Sequence, residues 1–128
     1  MVRSLGGALK ITTSGKKAPT ISIVKTDFTS NMGMLGGAIY MDQINSLTVV
    51  IDDCTFTNNR AISGGVIYIE EVEELDFQVK GSTFEDNSAT TNGGTLKGLL
   101  SADSKIAFTT STMSNSRAAQ GSFFNIEL

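Results

Sequence analysis

One short pattern recurs along the chain and leaves few architectures open to it. A phenylalanine is followed three residues later by asparagine, and eight or nine residues later by a glycine doublet that opens an apolar run. The copies read Phe28…Asn31…Gly36-Gly37-Ala38-Ile39-Tyr40, Phe56…Asn59…Gly64-Gly65-Val66-Ile67-Tyr68 and Phe84…Asn87…Gly93-Gly94-Thr95-Leu96-Lys97. A weaker copy reads Met113…Ser116…Gly121-Ser122-Phe123-Phe124-Asn125, and a first doublet, Gly6-Gly7, stands near the start. Successive doublets lie 30, 28, 29 and 28 residues apart. Self-similarity at such a period marks a solenoid, in which each repeat buries its apolar face against the next.

Within a copy the apolar residues alternate with period two. Leu47, Val49 and Ile51 share one parity, as do Leu75, Phe77 and Val79, and polar residues mostly take the other. This is the spacing of a half-buried strand. Helical repeats would need apolar spacings of three and four, which are absent. At about 3.3 Å per residue, three short strands and three turns fit one copy. The expected fold is therefore all-β: a right-handed parallel β-helix of about four coils of 28–29 residues, with three short strands per coil. One domain covers residues 1–128, with coils near 6–35, 36–63, 64–92 and 93–120 and a partial coil at 121–128. No polar capping segment flanks the repeats, so the chain reads as a piece of a longer solenoid.

Stacking brings equivalent residues to about 4.8 Å from one another. Phe28, Phe56, Phe84 and Met113 then form a core column, and Ile23, Ile51, Val79 and Phe108 a second. Asn31, Asn59 and Asn87 form a structural ladder, because an amide both donates and accepts and so satisfies its own copy above and below. The turn glycines Gly36, Gly37, Gly64, Gly65, Gly93 and Gly94 suit a crowded corner with positive φ. The lone Cys54 excludes an internal disulfide, and its equivalents Thr26, Ser82 and Ser111 mark it as a small inward residue.

Repeated Gly-Gly-Ala-Ile and Phe-x-x-Asn motifs resemble the polymorphic outer membrane protein repeat, and with it the pectin-lyase-like β-helix proteins. The resemblance runs over residues 6–128. It implies a cell-surface or extracellular segment used for adhesion or surface architecture, a non-enzymatic role and no cofactor. It also raises an alternative: a carbohydrate-binding or polysaccharide-degrading β-helix, whose site would lie on the outer face of one strand stack.

For that alternative the expected binding face is an exposed row of Lys10, Tyr40, Tyr68, Lys97 and Asn125, beside a row of Ala8, Ala38, Val66, Thr95 and Phe123. Tyrosine rings there would stack on sugar surfaces. Catalytic residues are not expected. The chain has no histidine, which excludes histidine-based acid–base chemistry, triads and metal ligation. Asp52 and Asp53 are adjacent rather than paired across a bond. Glu70, Glu71, Glu73 and Glu74 read as a solvated acidic loop, and are the weak candidate for Ca²⁺, although their spacing matches neither an EF-hand nor a calcium β-roll.

Residues 1–26 hold Arg3, Lys10, Lys16, Lys17 and Lys25 and no acid, whereas residues 42–76 hold eight acids against Arg60 alone. A net charge of −3 argues against nucleic acid as a partner. No run approaches the roughly 20 apolar residues needed to enter a bilayer. The partners expected are further coils or copies of the chain stacked end to end into a rod or filament, with surface glycans or another surface protein beside it. The localisation follows from the resemblance alone, because the first residues do not carry the basic, apolar and small-residue order of a signal peptide.

Overall fold

The computed structural model describes residues 4–15 and 17–128, and among them every regular element is a strand. Arg3 and Lys16 of the basic first coil lie outside the described residues. Strands with equivalent sequence stack in parallel. A five-stranded sheet joins β1 (Leu9–Ile11), β4 (Ile39–Met41), β8 (Ile67–Ile69), β12 (Leu96–Leu99) and β15 (Phe124–Glu127). A second sheet holds β2 (Thr20–Val24), β5 (Ile44–Asp52), β9 (Val72–Lys80) and β13 (Lys105–Thr109). A third holds β3 (Asp27–Thr29), β6 (Thr55–Thr57), β10 (Thr83–Glu85) and β14 (Thr112–Ser114). The result is a parallel β-solenoid of about four turns.

The middle coils contain one strand more than the three expected. Here β7 (Arg60–Ser63) pairs with β11 (Ser88–Asn92), and the neighbouring coils join this stack only through isolated bridges. The alternation that builds β7 is real, with Ala61 and Ser63 buried and Arg60 and Ile62 exposed. Its inward residues are small or polar, so an apolar count passes over it.

Register keeps like on like. Phe28 pairs with Phe56, Phe56 with Phe84 and Phe84 with Met113. The Phe28 and Phe56 rings stack 4.8 Å apart and 3° from parallel, and Phe56 and Phe84 4.6 Å apart and 5° from parallel. Ile51 pairs with Val79 and Val79 with Phe108 beside them. Together with Ile39, Ile67, Leu75 and Phe77 these residues make one continuous apolar core.

The asparagines occupy the corner beside the phenylalanines. Asn31 donates to Asn59 Oδ1 through its backbone N–H and its Nδ2, each at 3.0 Å. Asn59 repeats this onto Asn87 Oδ1 at 2.9 and 3.0 Å, and its Nδ2 also donates to the Phe28 carbonyl at 3.0 Å. Asn87 Nδ2 donates to the Phe56 carbonyl at 3.0 Å. The next rung is Ser116, whose hydroxyl pairs instead with Thr95 Oγ1 at 2.7 Å. A hydroxyl column runs at the opposite end of β6 and β10. Cys54 N–H donates to Ser82 Oγ at 3.1 Å and Ser82 N–H to Ser111 Oγ at 3.3 Å. The buried Cys54 thiol occupies a rung of that column.

Corners are built from left-handed residues at repeating positions. Lys25, Asp53, Gly81 and Thr110 form one such set, and Ser30, Asn58, Asp86 and Asn115 another. The doublets solve a different problem at each position. Their first glycine has φ between 63° and 77° at Gly6, Gly36, Gly64, Gly93 and Gly121, where an L side chain is strained. Their second glycine lies directly against the next coil. A Cβ on Gly7, Gly37, Gly65 or Gly94 would strike the carbonyl oxygen of Gly37, Gly65, Gly94 or Ser122 respectively. Backbone stacks on backbone there, and nothing larger than hydrogen fits between.

This contact makes a sharp distinction between glycines. Gly65→Ala should destabilise the chain by about 3 kcal/mol or more, because backbone rather than a flexible side chain must give way. Gly98→Ala should leave stability unchanged or slightly higher, since its Cβ meets only Leu96 and Leu100 side-chain atoms at 3.4–3.5 Å. Urea denaturation of both variants checks this, and equal midpoints would contradict it.

Candidate functional site

The row expected to form an exposed binding face is covered. Tyr40 is 2 % exposed, Tyr68 8 % and Lys97 5 %, while Lys10 is exposed and Asn125 half-buried. The second row is also enclosed: Ala38, Val66 and Thr95 are fully buried, and only its end residues Ala8 and Phe123 are exposed. Strand parity sets a side chain's direction but not what lies over it. Tyr40 and Tyr68 stand apart from the apolar core that contains Ile39, Met41, Ile67 and Ile69 on either side of them. They cover each other instead, with ring centroids 5.9 Å apart. Lys10 Nζ sits 5.7 Å from the Tyr40 ring centroid, a cation–π contact. At the other end Lys97 Nζ donates to Asn125 Oδ1 at 2.6 Å and to Glu127 Oε1 at 2.7 Å. No ring face is left open for a sugar.

The phenol ends of this stack face carboxylates. Tyr40 Oη donates to Glu70 Oε1 and lies 3.3 Å from Asp42 Oδ2. Burial comes first, then the hydrogen bond to Glu70 and the charges of Glu70 and Asp42, and together they hold the Tyr40 phenol well above its ordinary pKa. Burial, then the charges of Glu70 and Glu127, push Tyr68 the same way. Tyr40 is therefore a neutral structural donor. Asp42 Oδ1 is buried without a partner among the described residues.

The acidic run is not the loop expected of it. Val72, Glu73 and Glu74 belong to β9, and only Glu70 and Glu71 separate it from β8, with Glu71 in the left-handed corner conformation. One coil earlier Asp42 and Gln43 make the same two-residue corner. Stacking imposes this: the backbone of 72–80 must copy that of 44–52 to keep its ladder. The side chains are spread accordingly. Glu70 engages Tyr40, Glu74 accepts from Ser46 Oγ at 3.4 Å, and Glu71 and Glu73 are exposed. No group of three or more potential ligands gathers at a metal-sized point among the described residues.

A group of adjoining depressions lies elsewhere, on the outside of the β7–β11 stack. Met32, Arg60, Ser88 and Arg117 occupy equivalent positions on four successive coils. Three adjoining depressions share Arg60 as a wall. The largest polar one, about 300 Å³, lies between Arg60 and Arg117 and is lined also by Asn58, Asp86, Ser88 and Asn115. Its neighbour is more apolar and is formed by Met32, Met34 and Ile62. Sequence reasoning missed this surface because arginine occurs in only two of the four copies, so no repeat announces it. The available signal was Arg60, the lone base among residues 42–76.

Residues 53–70 match the family model of the Chlamydia polymorphic membrane protein repeat. The matched stretch runs from the corner at Asp53 through Phe56, Asn59 and the Gly64-Gly65 doublet to Glu70, just past β8. No curated protein and no solved structure matches the chain.

The Tyr40 environment predicts a specific response to alkali. The folded chain holds the Tyr40 proton more tightly than the unfolded chain does, so this residue's stabilisation is complete below about pH 10. It is lost as pH rises from there towards the raised folded value. Thermal melts between pH 8 and 11 should show a shallower alkaline decline for Tyr40→Phe than for the wild type. Parallel declines would refute the carboxylate-bound phenol.

Proposed function

We propose that this parallel β-helix, which carries a polymorphic membrane protein repeat, is a segment of a cell-surface protein and serves there as a rigid, non-enzymatic support. The observation that carries the reading is the repeat itself, set in a parallel register that stacks equivalent positions of successive coils. Every coil rests on the next through main-chain bonds, and the first three copies also through a phenylalanine stack and an amide ladder. Such a rod holds distance and orientation, which suits a surface display element. Catalysis draws no support from the surface: the chain has no histidine, and the tyrosines and Lys97 are engaged with one another and with carboxylates. Antibodies raised against the folded domain should label intact cells of the source organism. Labelling that requires permeabilised cells would overturn the surface assignment.

The same reading includes axial continuation of the stack. Strand β15 pairs with β12 on one side, and Phe124 and Ile126 are 38 % and 45 % exposed. A further coil, from the same polypeptide or from a second copy, would pair with that edge and cover both side chains. Phe124→Lys combined with Ile126→Lys should abolish concentration-dependent association in sedimentation velocity. A wild-type domain that stays monomeric at millimolar concentration would contradict pairing between copies.

A further inference from the structure

We infer that the groove between Arg60 and Arg117 receives an extended acidic peptide, a segment of a partner protein whose carboxylates lie three residues apart. Both arginines are exposed, and neither has a carboxylate within ion-pair distance among the described residues. Arg60 Nη2 donates to Asn58 Oδ1 at 3.3 Å, a neutral acceptor that leaves the charge uncompensated and other guanidinium donors open. Arg60 and Arg117 occupy equivalent positions two coils apart, with Ser88 between them. At the strand spacing of a parallel stack this separates them by about 10 Å along the axis. In a polyproline-II chain, a major conformer of disordered segments, residues i and i+3 share one face and lie about 9.3 Å apart. Two carboxylates so placed each meet a guanidinium, the planar pairing in which arginine binds most strongly. Asp86 lines the same groove from the coil between the arginines, next to Glu85, whose partners are Thr57 and Ser114. Its charge repels an anion from the centre. The groove therefore selects a ligand that is anionic at two ends and neutral between them.

The neighbouring surface favours a peptide over a sugar chain. The depression beyond Arg60 is walled by Met32, Met34 and Ile62, of which Met32 and Ile62 are 50 % and 47 % exposed. Methionine is flexible and adapts to apolar side chains of varied shape. A sugar ring presents a flat C–H face that a flat aromatic ring matches, and no aromatic residue lines these depressions. Met32 lies one coil before Arg60, so an apolar residue flanking the first carboxylate reaches it. The backbone N–H groups of Arg60, Ser88 and Arg117 already donate to the carbonyls of Asn31, Asn59 and Asn87. The peptide is therefore read by side chains, in the manner of acidic motifs held by arginines, rather than added as a strand. Its own main chain stays solvated, as polyproline II allows, and its carbonyls can accept from the amides of Asn58 and Asn115.

The test is calorimetric titration of the domain at low salt with synthetic peptides in an alanine–proline background. The principal probe carries leucine, then glutamate, two neutral residues and a second glutamate. It should bind, and a peptide of the same composition with adjacent glutamates should bind about tenfold more weakly, having one contact fewer. Arg60→Gln and Arg117→Gln should each weaken the spaced peptide about tenfold, the loss of one charge-assisted contact. Asp86→Asn should raise affinity for poly-glutamate more than for the spaced peptide. Ile62→Ser should weaken the leucine peptide and leave its serine counterpart unchanged. Lys105→Gln, on β13, should have no effect. Since Arg60, Ile62, Asp86 and Arg117 are exposed, melting temperatures of these variants should match the wild type and show that folding is intact. The inference fails if the spaced peptide does not bind, if adjacent glutamates serve equally well, or if Lys105→Gln weakens binding as much as the arginine variants. It fails equally if oligogalacturonate or heparin-derived oligosaccharides bind more tightly than the peptide. None of these outcomes bears on the surface-labelling experiment.

Discussion

Parallel main-chain pairing between coils is the constraint on which everything else in this molecule rests. Once one coil's N–H groups donate to the next coil's carbonyls, equivalent residues are held one strand spacing apart. Each position must then tolerate a copy of itself at van der Waals distance. Phenylalanine does so by face-to-face stacking, asparagine by chained amides and serine by accepting from one coil while donating within its own. Glycine does so by leaving no Cβ where two backbones touch. The recurring letters are the residues that solve this problem at their own position. Breaks in the repeat are matched by local repairs, as where Ser116 replaces asparagine and Thr95 supplies the hydroxyl partner.

That logic also explains how much could be read from residues alone. The period, the parallel stacking and the equivalence of Phe28, Phe56 and Phe84 are legible because repetition amplifies a weak local signal. The equivalence of Asn31, Asn59 and Asn87 is legible in the same way, although the bonds they make need the register. Features confined to one or two coils are not amplified. Strand β7 has small inward residues, Arg60 and Arg117 skip the coil between them, and the short Glu70–Glu71 corner was hidden by its charge. The enclosure of Tyr40 and Lys97 was hidden for another reason. Alternation encodes direction, and enclosure depends on lysine stems, a second ring and carboxylates contributed by other coils.

The tyrosine row shows what a solenoid does with polar surface. Lys10, Tyr40, Tyr68 and Lys97 join into one line of mutually covering groups, with Asp42, Glu70 and Glu127 along its side. The Tyr40 hydroxyl and the Lys97 ammonium each meet a carboxylate acceptor of the protein. A lattice so completed stiffens the five-stranded sheet and offers little to a ligand, whereas the looser β7–β11 corner keeps its donors outward.

The spacing of the doublets gives that corner a further meaning. Pairing runs at an offset of 28 residues from Arg60–Ser88 to Ala61–Ala89 and resumes at 29 with Ser63–Asn92, so one extra residue is absorbed as a bulge within β11. The offset stays at 29 through Phe77–Ile106 and Phe84–Met113, and returns to 28 at Asn92–Gln120. A change of length entered the chain without disturbing the register of any other stack. Insertions at this edge would enlarge or reshape the surface beside Arg60 while the phenylalanine and asparagine columns stayed aligned. The molecule thus has a built-in place for variation, where new sequence can reshape the outer surface without endangering the rod.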